Sequence, residues 1–578
     1  MDSRLEQAAV GRLEDVDLYV RTYRTVLRTS GEVHVRALER AHINVCPTLH
    51  AGAGEPELDL GALIYAVNRL PAVIGTVKRV ILGQLPEHFE QALGSRLDDW
   101  QAVQAPARRR QWHYDARDTL AVHVASTSDI DDVIPTLVAY QIEWNKLHAQ
   151  LQADKHLRTL LDARAVDASA AHTIRDRLAI DVNDWDRLTR AWGPQFWTMF
   201  HAIAAEDKDL LVRQLGGTDV GFAKLTRGWW QPIGAALAQR GLLGRPLYFV
   251  SSNMHSLVNL ISGYAPRRAP MLWKFLSDTG TLDPSSEAAE LATLRGQSNA
   301  QNVLYYAARL WHQAHPHSTS KSEREGEELE RGILNLAAVK GADVGAQIIE
   351  LGRLRPEDFD PRLADVVGAV HRSDAVVVNI DYPLGMGAYH ILRQVAEAVD
   401  NLAGVYVLGK AATLNGDIGD VLIADFVRDE HSGNTISFDN VFSYADVAPF
   451  LERGSVLDNQ RAVTVKGTFL QNREYLDLFY RESDTVVEME AGPFLSAVYE
   501  ATQVSRYPNN EAVHFRRLPI DVGLIHYASD TPYTRARTLG SRNLSFEGVD
   551  STYAAAIAIL RRILDRERWR SARRSSVA

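Results

Sequence analysis

What this 578-residue chain lacks narrows it first. It has one cysteine, Cys46, which leaves no intramolecular disulfide and no cysteine metal cluster. No run approaches the roughly 18 apolar residues of a membrane span. The opening residues, Met-Asp-Ser-Arg-Leu-Glu, are charged where a signal peptide would be apolar. Both absences point to a cytoplasmic protein with no membrane partner. Positive charge is not in excess either. The 63 Lys and Arg stand against 73 Asp and Glu, a net charge of -10, so nothing favours a nucleic acid as partner. The chain does have core material, with 46% hydrophobic residues and 11 tryptophans, enough to fill large interiors. Its length suggests about three to four folding units.

The first half reads as helical. Val16, Tyr19, Val20, Tyr23, Val26 and Leu27 share one helical face, and Leu63, Ile64, Val67, Leu70 and Val73 suggest a second buried helix. Ile134, Leu137, Val138, Tyr140 and Ile142 continue the pattern. Residues 104–110, rich in Arg and Ala around a proline, look like an exposed connection. Residues 1–317 are therefore expected to form a large, mainly α-helical N-terminal domain whose role no motif declares. Residues 246–250 differ, reading as a short strand that leads into Ser251-Ser252-Asn253-Met254-His255-Ser256 and an apolar helix. Such a turn can present N–H groups to an anion or cap the helix that follows. His255 reads as a packed or surface histidine. His312, His315 and His317 lie close together, but Pro316 breaks any helix and no acid or cysteine is near. They are expected in an exposed loop, and no metal site is expected. Residues 318–331 are polar and highly charged, and are expected to be a solvated linker or an exposed helix face that marks a domain boundary.

Beyond residue 332 the texture changes. Short β-branched runs such as Val376-Val377-Val378, Val405-Tyr406-Val407, Val421-Leu422-Ile423 and Val486-Val487 alternate with helical patterns at 386–402 and 494–502. That alternation predicts an α/β domain over 332–578 with a mostly parallel central sheet flanked by helices. In open α/β sheets ligands bind outside the carboxyl ends of the strands. This singles out Glu488-Met489-Glu490-Ala491, between a strand and a helix, and Ser529-Asp530, at the end of the last strand. Read alone, Asp530 could also cap the segment after it, and Phe469, Gly385 and Gly387 could be core and close packing.

Taken in order, the motifs of this half resemble the nucleoside phosphorylase / nucleosidase superfamily, which includes purine nucleoside phosphorylase, methylthioadenosine nucleosidase and AMP nucleosidase. Asp381-Tyr382-Pro383-Leu384-Gly385-Met386-Gly387 is similar to the family's Gly-rich turn between strand and helix. Leu408-Gly409-Lys410-Ala411-Ala412-Thr413 is similar to its small-residue loop, and Ile418-Gly419-Asp420 to the Gly-Asp pair beyond it. Val465-Lys466-Gly467-Thr468-Phe469 resembles its strand with a base-stacking aromatic, and the Met-Glu and Ser-Asp stretches resemble its last two motifs.

The resemblance implies cleavage of the N-glycosidic bond of a purine nucleoside or nucleotide, without a cofactor, by a homo-oligomer. It implies catalytic roles for Asp530, which would protonate the base, and Glu488, which would orient water or pair with a cation. It implies substrate binding by Glu490 at the ribose, Met489 on the sugar face, Phe469 on the base, and Gly385, Gly409 and Lys410 nearby. These residue types suit the chemistry. The cleavage passes through an oxocarbenium-like sugar, a carboxylate accepts hydrogen bonds from both ribose hydroxyls, and an acid at the purine N7 spares the base from leaving as an anion. Lys410 stands in the loop where the family's phosphorylases carry a Ser or Thr, and Gly352-Arg353 is a weak match to their early phosphate signature. Lys410 could hold inorganic phosphate or a substrate's 5′-phosphate, or lie in a surface salt bridge. The expectation is therefore hydrolysis, with an AMP-like nucleotide as one substrate. Phosphate-dependent phosphorolysis and non-catalytic nucleotide sensing are the alternatives.

Overall fold

A computed structural model describes residues 2–162, 168–279, 299–315, 319–339, 341–503, 506–515, 517–532 and 547–577. Two sheets organise them. The smaller holds β1 (Val33–His34), β2 (Arg79–Gly83), β3 (Gln101–Ala105), β4 (Arg108–Tyr114), β5 (Thr119–His123) and β6 (Leu211–Leu215), in the order β1-β6-β2-β5-β4-β3. The helices Asp2–Thr29, Leu60–Arg69 and Thr127–Ala153 share one apolar core with this sheet. The N-terminal region is thus helical in bulk but built on a sheet that the sequence did not reveal. Two causes are visible. β2 and β5 are short, buried apolar runs, which periodicity cannot tell from buried helix. β4 opens with Arg108-Arg109-Arg110-Gln111, which carries no β-branched residue. Residues 104–110 span the end of β3, the two-residue turn and the start of β4, and Arg110 is buried rather than exposed.

The larger sheet has eleven strands. They are β7 (Leu247–Ser251), β8 (Ile333–Leu336), β9 (Ala346–Glu350), β10 (Val376–Ile380), β11 (Leu402–Thr413), β12 (Val421–Asp429), β13 (Thr435–Phe438), β14 (Val456–Thr464), β15 (Val486–Glu488), β16 (Ala512–Phe515) and β17 (Asp521–Asp530). Their order is β16-β13-β12-β14-β15-β11-β7-β10-β9-β8, and β17 pairs with both β11 and β12. Those two pairings close β12, β14, β15, β11 and β17 into a ring. The sheet is mixed, with six parallel pairings against five antiparallel ones, and this corrects the mostly parallel sheet that was expected. β7, β10, β11 and β17 are parallel, but β8–β9 and β12–β13 are antiparallel neighbours, and the ring closes only because β15 runs against β11 and β17 against β12. Helices Met386–Ala398 and Ala491–Thr502 cover one face, and Glu547–Val577 covers the other. All five residues of β7 and of β10 are buried, as strands covered on both faces must be.

The expected boundary at 318–331 does not divide the chain. β7 precedes it and lies between β10 and β11, parallel to both. The charged stretch itself forms helix Ser320–Glu330, the exposed helix face of the two expected forms. Its charges are used in pairs: Arg324 Nε donates to Glu328 Oε1 at 2.6 Å, and Arg331 Nε to Asp358 Oδ2 at 2.7 Å. The histidine cluster is not an exposed loop either. His312 lies on helix Asn299–Ala314 and stacks on Tyr264, His315 stacks on Trp311, and His317 falls outside the described residues. Among the described residues no helix is long and apolar enough to cross a membrane.

Candidate active site

A cavity of about 990 Å³ opens where the carboxyl ends of six strands meet. It is lined by residues 253–255 after β7, 381–384 after β10, 410–412 at the end of β11, Val465 after β14, 488–490 at the end of β15, and 529–530 at the end of β17. β11 has a register break between Ala411 and Ala412, and beyond it Ala412 pairs with Asp530 of β17 on one edge and with Val487 of β15 on the other. Such irregularities re-aim side chains at the rims of barrels. Here the break comes one residue beyond Lys410.

The two carboxyl groups of the Met-Glu stretch have different positions. Glu490 precedes helix Ala491–Thr502, and its Oε1 accepts the N–H of Gly385 at 3.1 Å. Burial pushes its carboxyl up to about 7, partly offset by the Gly385 N–H and by Arg108. Glu488 is enclosed. Its Oε2 accepts the N–H groups of Glu490 and Ala491, both at 2.6 Å, and Thr464 Oγ1 donates to its Oε1. Burial, then the charge of Glu490, pushes Glu488 up to about 8. The Glu488 carboxyl is therefore engaged with the first N–H groups of the helix, where an acid satisfies donors that have no intrahelical partner. Met489 lines the cavity and packs against the N-terminal core. Across the cavity, Ser529 Oγ donates to Asp530 Oδ2 at 2.8 Å, and Asp530 acts electrostatically on both Arg69 and Lys410.

Three of the expected contacts lie off the wall. Phe469 is 3% exposed and packs edge-on against Tyr65 at 4.9 Å between ring centroids, with His42 and His50 behind it. Tyr65, under the Arg69 guanidinium at 3.3 Å, is the ring that reaches the cavity. A Cβ on Gly409 would stand 2.9 Å from His526 Cδ2, so that glycine makes room for the imidazole, whose Nε2 is 3.9 Å from Glu488 Oε2. Gly385 holds φ 49° and ψ -118°, a backbone region open only to glycine, and a Cβ there would run into Ser128 Oγ. Ser128 Oγ in turn accepts the N–H of Met386 at 2.9 Å. Gly385→Ala is expected to lower stability by about 1–3 kcal/mol and to weaken Glu490's anchorage, as read by urea unfolding. An unchanged midpoint would mean that this turn relaxes freely. Gly352-Arg353 lies away from the cavity, with Arg353 paired to Glu350.

The opposite wall comes from the N-terminal half. Arg108 donates to Asp132 through two bonds of 2.7 and 3.0 Å. Arg110 reaches Asp129 and Asp132, and Arg109 pairs with Asp381 and donates to the Tyr382 carbonyl at 3.0 Å. Burial alone would raise the Asp132 carboxyl, but Arg108 and Arg110 outweigh it and hold the group below the usual carboxylate range. This wall was missed because its pairs span up to 273 residues of sequence. Its one local signal was the triple arginine beside Pro106. The Ser/Asn turn after β7 resolves as a cap: Asn253 Oδ1 accepts the N–H groups of His255 at 3.0 Å and Ser256 at 2.6 Å.

A family described as a family of unknown function, DUF6909, matches residues 35–565. No curated protein matches the chain. Solved structures similar to part of it include the 5′-methylthioadenosine/S-adenosylhomocysteine nucleosidase from Neisseria meningitidis, at 14% identity and a TM-score of 0.27, covering 42% of this chain and 94% of that one. The corresponding nucleosidase from S. pneumoniae is 13% identical, with a TM-score of 0.27, over 40% of this chain and 94% of its own. Uridine phosphorylase from Vibrio fischeri is 9% identical, with a TM-score of 0.26, over 41% of this chain and 87% of its own.

Proposed function

The chain belongs to DUF6909, a family of unknown function, and we propose that its cavity cleaves the N-glycosidic bond of a purine nucleoside or nucleotide by hydrolysis. The observation that carries this reading is the convergence of Glu490 and Asp530 on one cavity at the carboxyl ends of β15 and β17. The volume of about 990 Å³ suits a small molecule. Asp530 donates a proton to the base as the C1′–N bond breaks and its electrons leave with the base. Glu490 accepts the ribose hydroxyls and fixes the sugar, and Met489 lines the sugar face. Water adds to C1′ of the oxocarbenium-like sugar and releases a proton to solvent, from which Asp530 is reprotonated, giving free purine and free sugar. Glu488 is a positioning residue whose Oε2 accepts the N–H groups of Glu490 and Ala491.

The test is a panel of purine nucleosides and nucleotides, incubated with and without inorganic phosphate and read by chromatography of free base. Release of purine in phosphate-free buffer is expected. Release that depends strictly on phosphate would reassign the step to phosphorolysis, and no release from any member of the panel would end the reading.

A further inference from the structure

Arg69 lines the cavity and has no part in the chemistry above. It ends helix Leu60–Arg69 of the N-terminal half, one turn beyond Tyr65, so the two side chains share a helical face. The guanidinium carbon stands 3.3 Å from the centre of the Tyr65 ring, and Phe469 meets that ring edge-on at 4.9 Å. One face of the ring is thus covered by a flat cation, and the pair lines the cavity together. Arg69 is only 5% exposed, yet burial pulls it down no further than about 10, so it stays charged at neutral pH. Two carboxylates act on it. Asp132 is already bonded to Arg108 and Arg110, and the other is Asp530, the acid placed at the base. Lys410 feels Asp530 as well, from the α/β half.

Heterolysis of the C1′–N bond separates charge. The sugar gains one positive unit, and the base together with Asp530 gains one negative unit, whichever of the two holds the proton. Glu490 stands at the sugar end of that separation. A fixed cation at the base end lowers its cost, and preorganised charge is worth more in a low-dielectric site than in water. We propose that Arg69 stabilises the negative charge that develops on the leaving base and Asp530, so that the N-terminal half completes the active site. Arg69 exchanges no proton. The bond that breaks, the proton from Asp530 and the added water are those already given. The same cation disfavours a base that is positively charged before cleavage, which narrows the substrate to nucleosides or nucleotides of a neutral purine. The inference rests on the N-glycosidase reading, and the two fail differently.

The test compares a purine nucleoside with its N7-methylated form, whose base is cationic, at a pH where the methylated base keeps its ring N–H. Arg69→Gln removes the charge. Arg69→Met also removes it but keeps an unbranched stem over Tyr65, and serves if the Gln variant fails to fold. Arg69→Lys keeps the charge, and thermal melts report folding. For the unmodified nucleoside, kcat/KM is expected to fall about 100-fold in the charge-free variants and to recover largely in Arg69→Lys. For the methylated form it is expected to hold or rise, because a cation facing a cation has been removed. If the wild-type protein binds the methylated compound without cleaving it, its Ki as a competitive inhibitor reads the same sign and should be lower in the charge-free variants. Parallel losses on both compounds, or no loss on the unmodified one, would overturn the role of Arg69 and leave the N-glycosidase reading in place. No base released by the wild-type protein from any nucleoside or nucleotide would end both.

Discussion

Asp530→Asn is expected to lower kcat for base release by about 100- to 10,000-fold, the range that general acid catalysis contributes. The substitution keeps shape and volume and removes only the transferable proton and the charge. Ser529 Oγ, which donates to Asp530 Oδ2 at 2.8 Å, can donate equally to an amide oxygen, so the strand end keeps its anchor. The loss of charge is felt by Arg69 and Lys410, both of which Asp530 stabilises. A lower KM for an anionic substrate can therefore accompany the collapse in kcat, which a purely structural defect would not give. Steady-state base release and ligand-induced thermal stabilisation, measured on the same preparation, separate the cases. Full ligand stabilisation without turnover is the expected result. Turnover within a few-fold of wild type would remove Asp530 from the chemistry. A wild-type protein that binds nucleotides and releases no base under any condition would be a sensor.

The part of this site that was legible in the sequence is the part made by strand ends. Val486-Val487 running into Glu488-Met489-Glu490, and Leu524-Ile525 running into Ser529-Asp530, are local patterns, and the rule that ligands gather at carboxyl ends of strands needs nothing more. Roles that depend on what lies behind a residue were not legible. Phe469 is aromatic and close to the cavity, but Tyr65, some four hundred residues upstream, occupies the wall in front of it. The motif makes Gly409 a substrate contact, whereas its small size serves His526. Glu488 and Glu490 look equivalent in sequence; two backbone N–H groups at 2.6 Å engage one of them in the helix start. The N-terminal half remained without a role for the same reason. Arg109, Ser128 and Arg309 meet the α/β half only through the tertiary fold. The mixed sense of the sheet is not legible either: β15 and β17 look like any buried strand and are antiparallel to a neighbour only through the ring they close, and β8, β9 and β13 add the remaining antiparallel pairings.

Glu490→Gln is expected to trade activity for stability, with a dependence on pH that identifies the group. Burial pushes the Glu490 carboxyl up to about 7 from an ordinary 4.5, so the folded state holds a proton that the unfolded chain has already released. The stability this contributes is fully present below about pH 4.5 and is lost as pH rises through 7. By about pH 8 the wild-type protein has given up as much as ~2–3 kcal/mol at this one group. Glutamine does not titrate, and it can still accept the Gly385 N–H through its amide oxygen. The variant and wild type should therefore melt together near pH 4.5 and diverge with rising pH, the variant being the more stable by pH 8. Glu488, also raised, titrates in both proteins, and its upward push weakens in the variant because the charge of Glu490 contributes to it. Activity should move the other way. The ribose clamp needs the carboxylate, so wild-type kcat/KM should climb with pH through about 7. The variant, with one acceptor where the sugar presents two donors, should lose roughly 100-fold from misorientation and lose that rising limb as well. Melting curves that stay parallel from pH 5 to about 9 would show that Glu490 is an ordinary carboxylate, and a rising limb that survives in the variant would pass the sugar-binding role to another group.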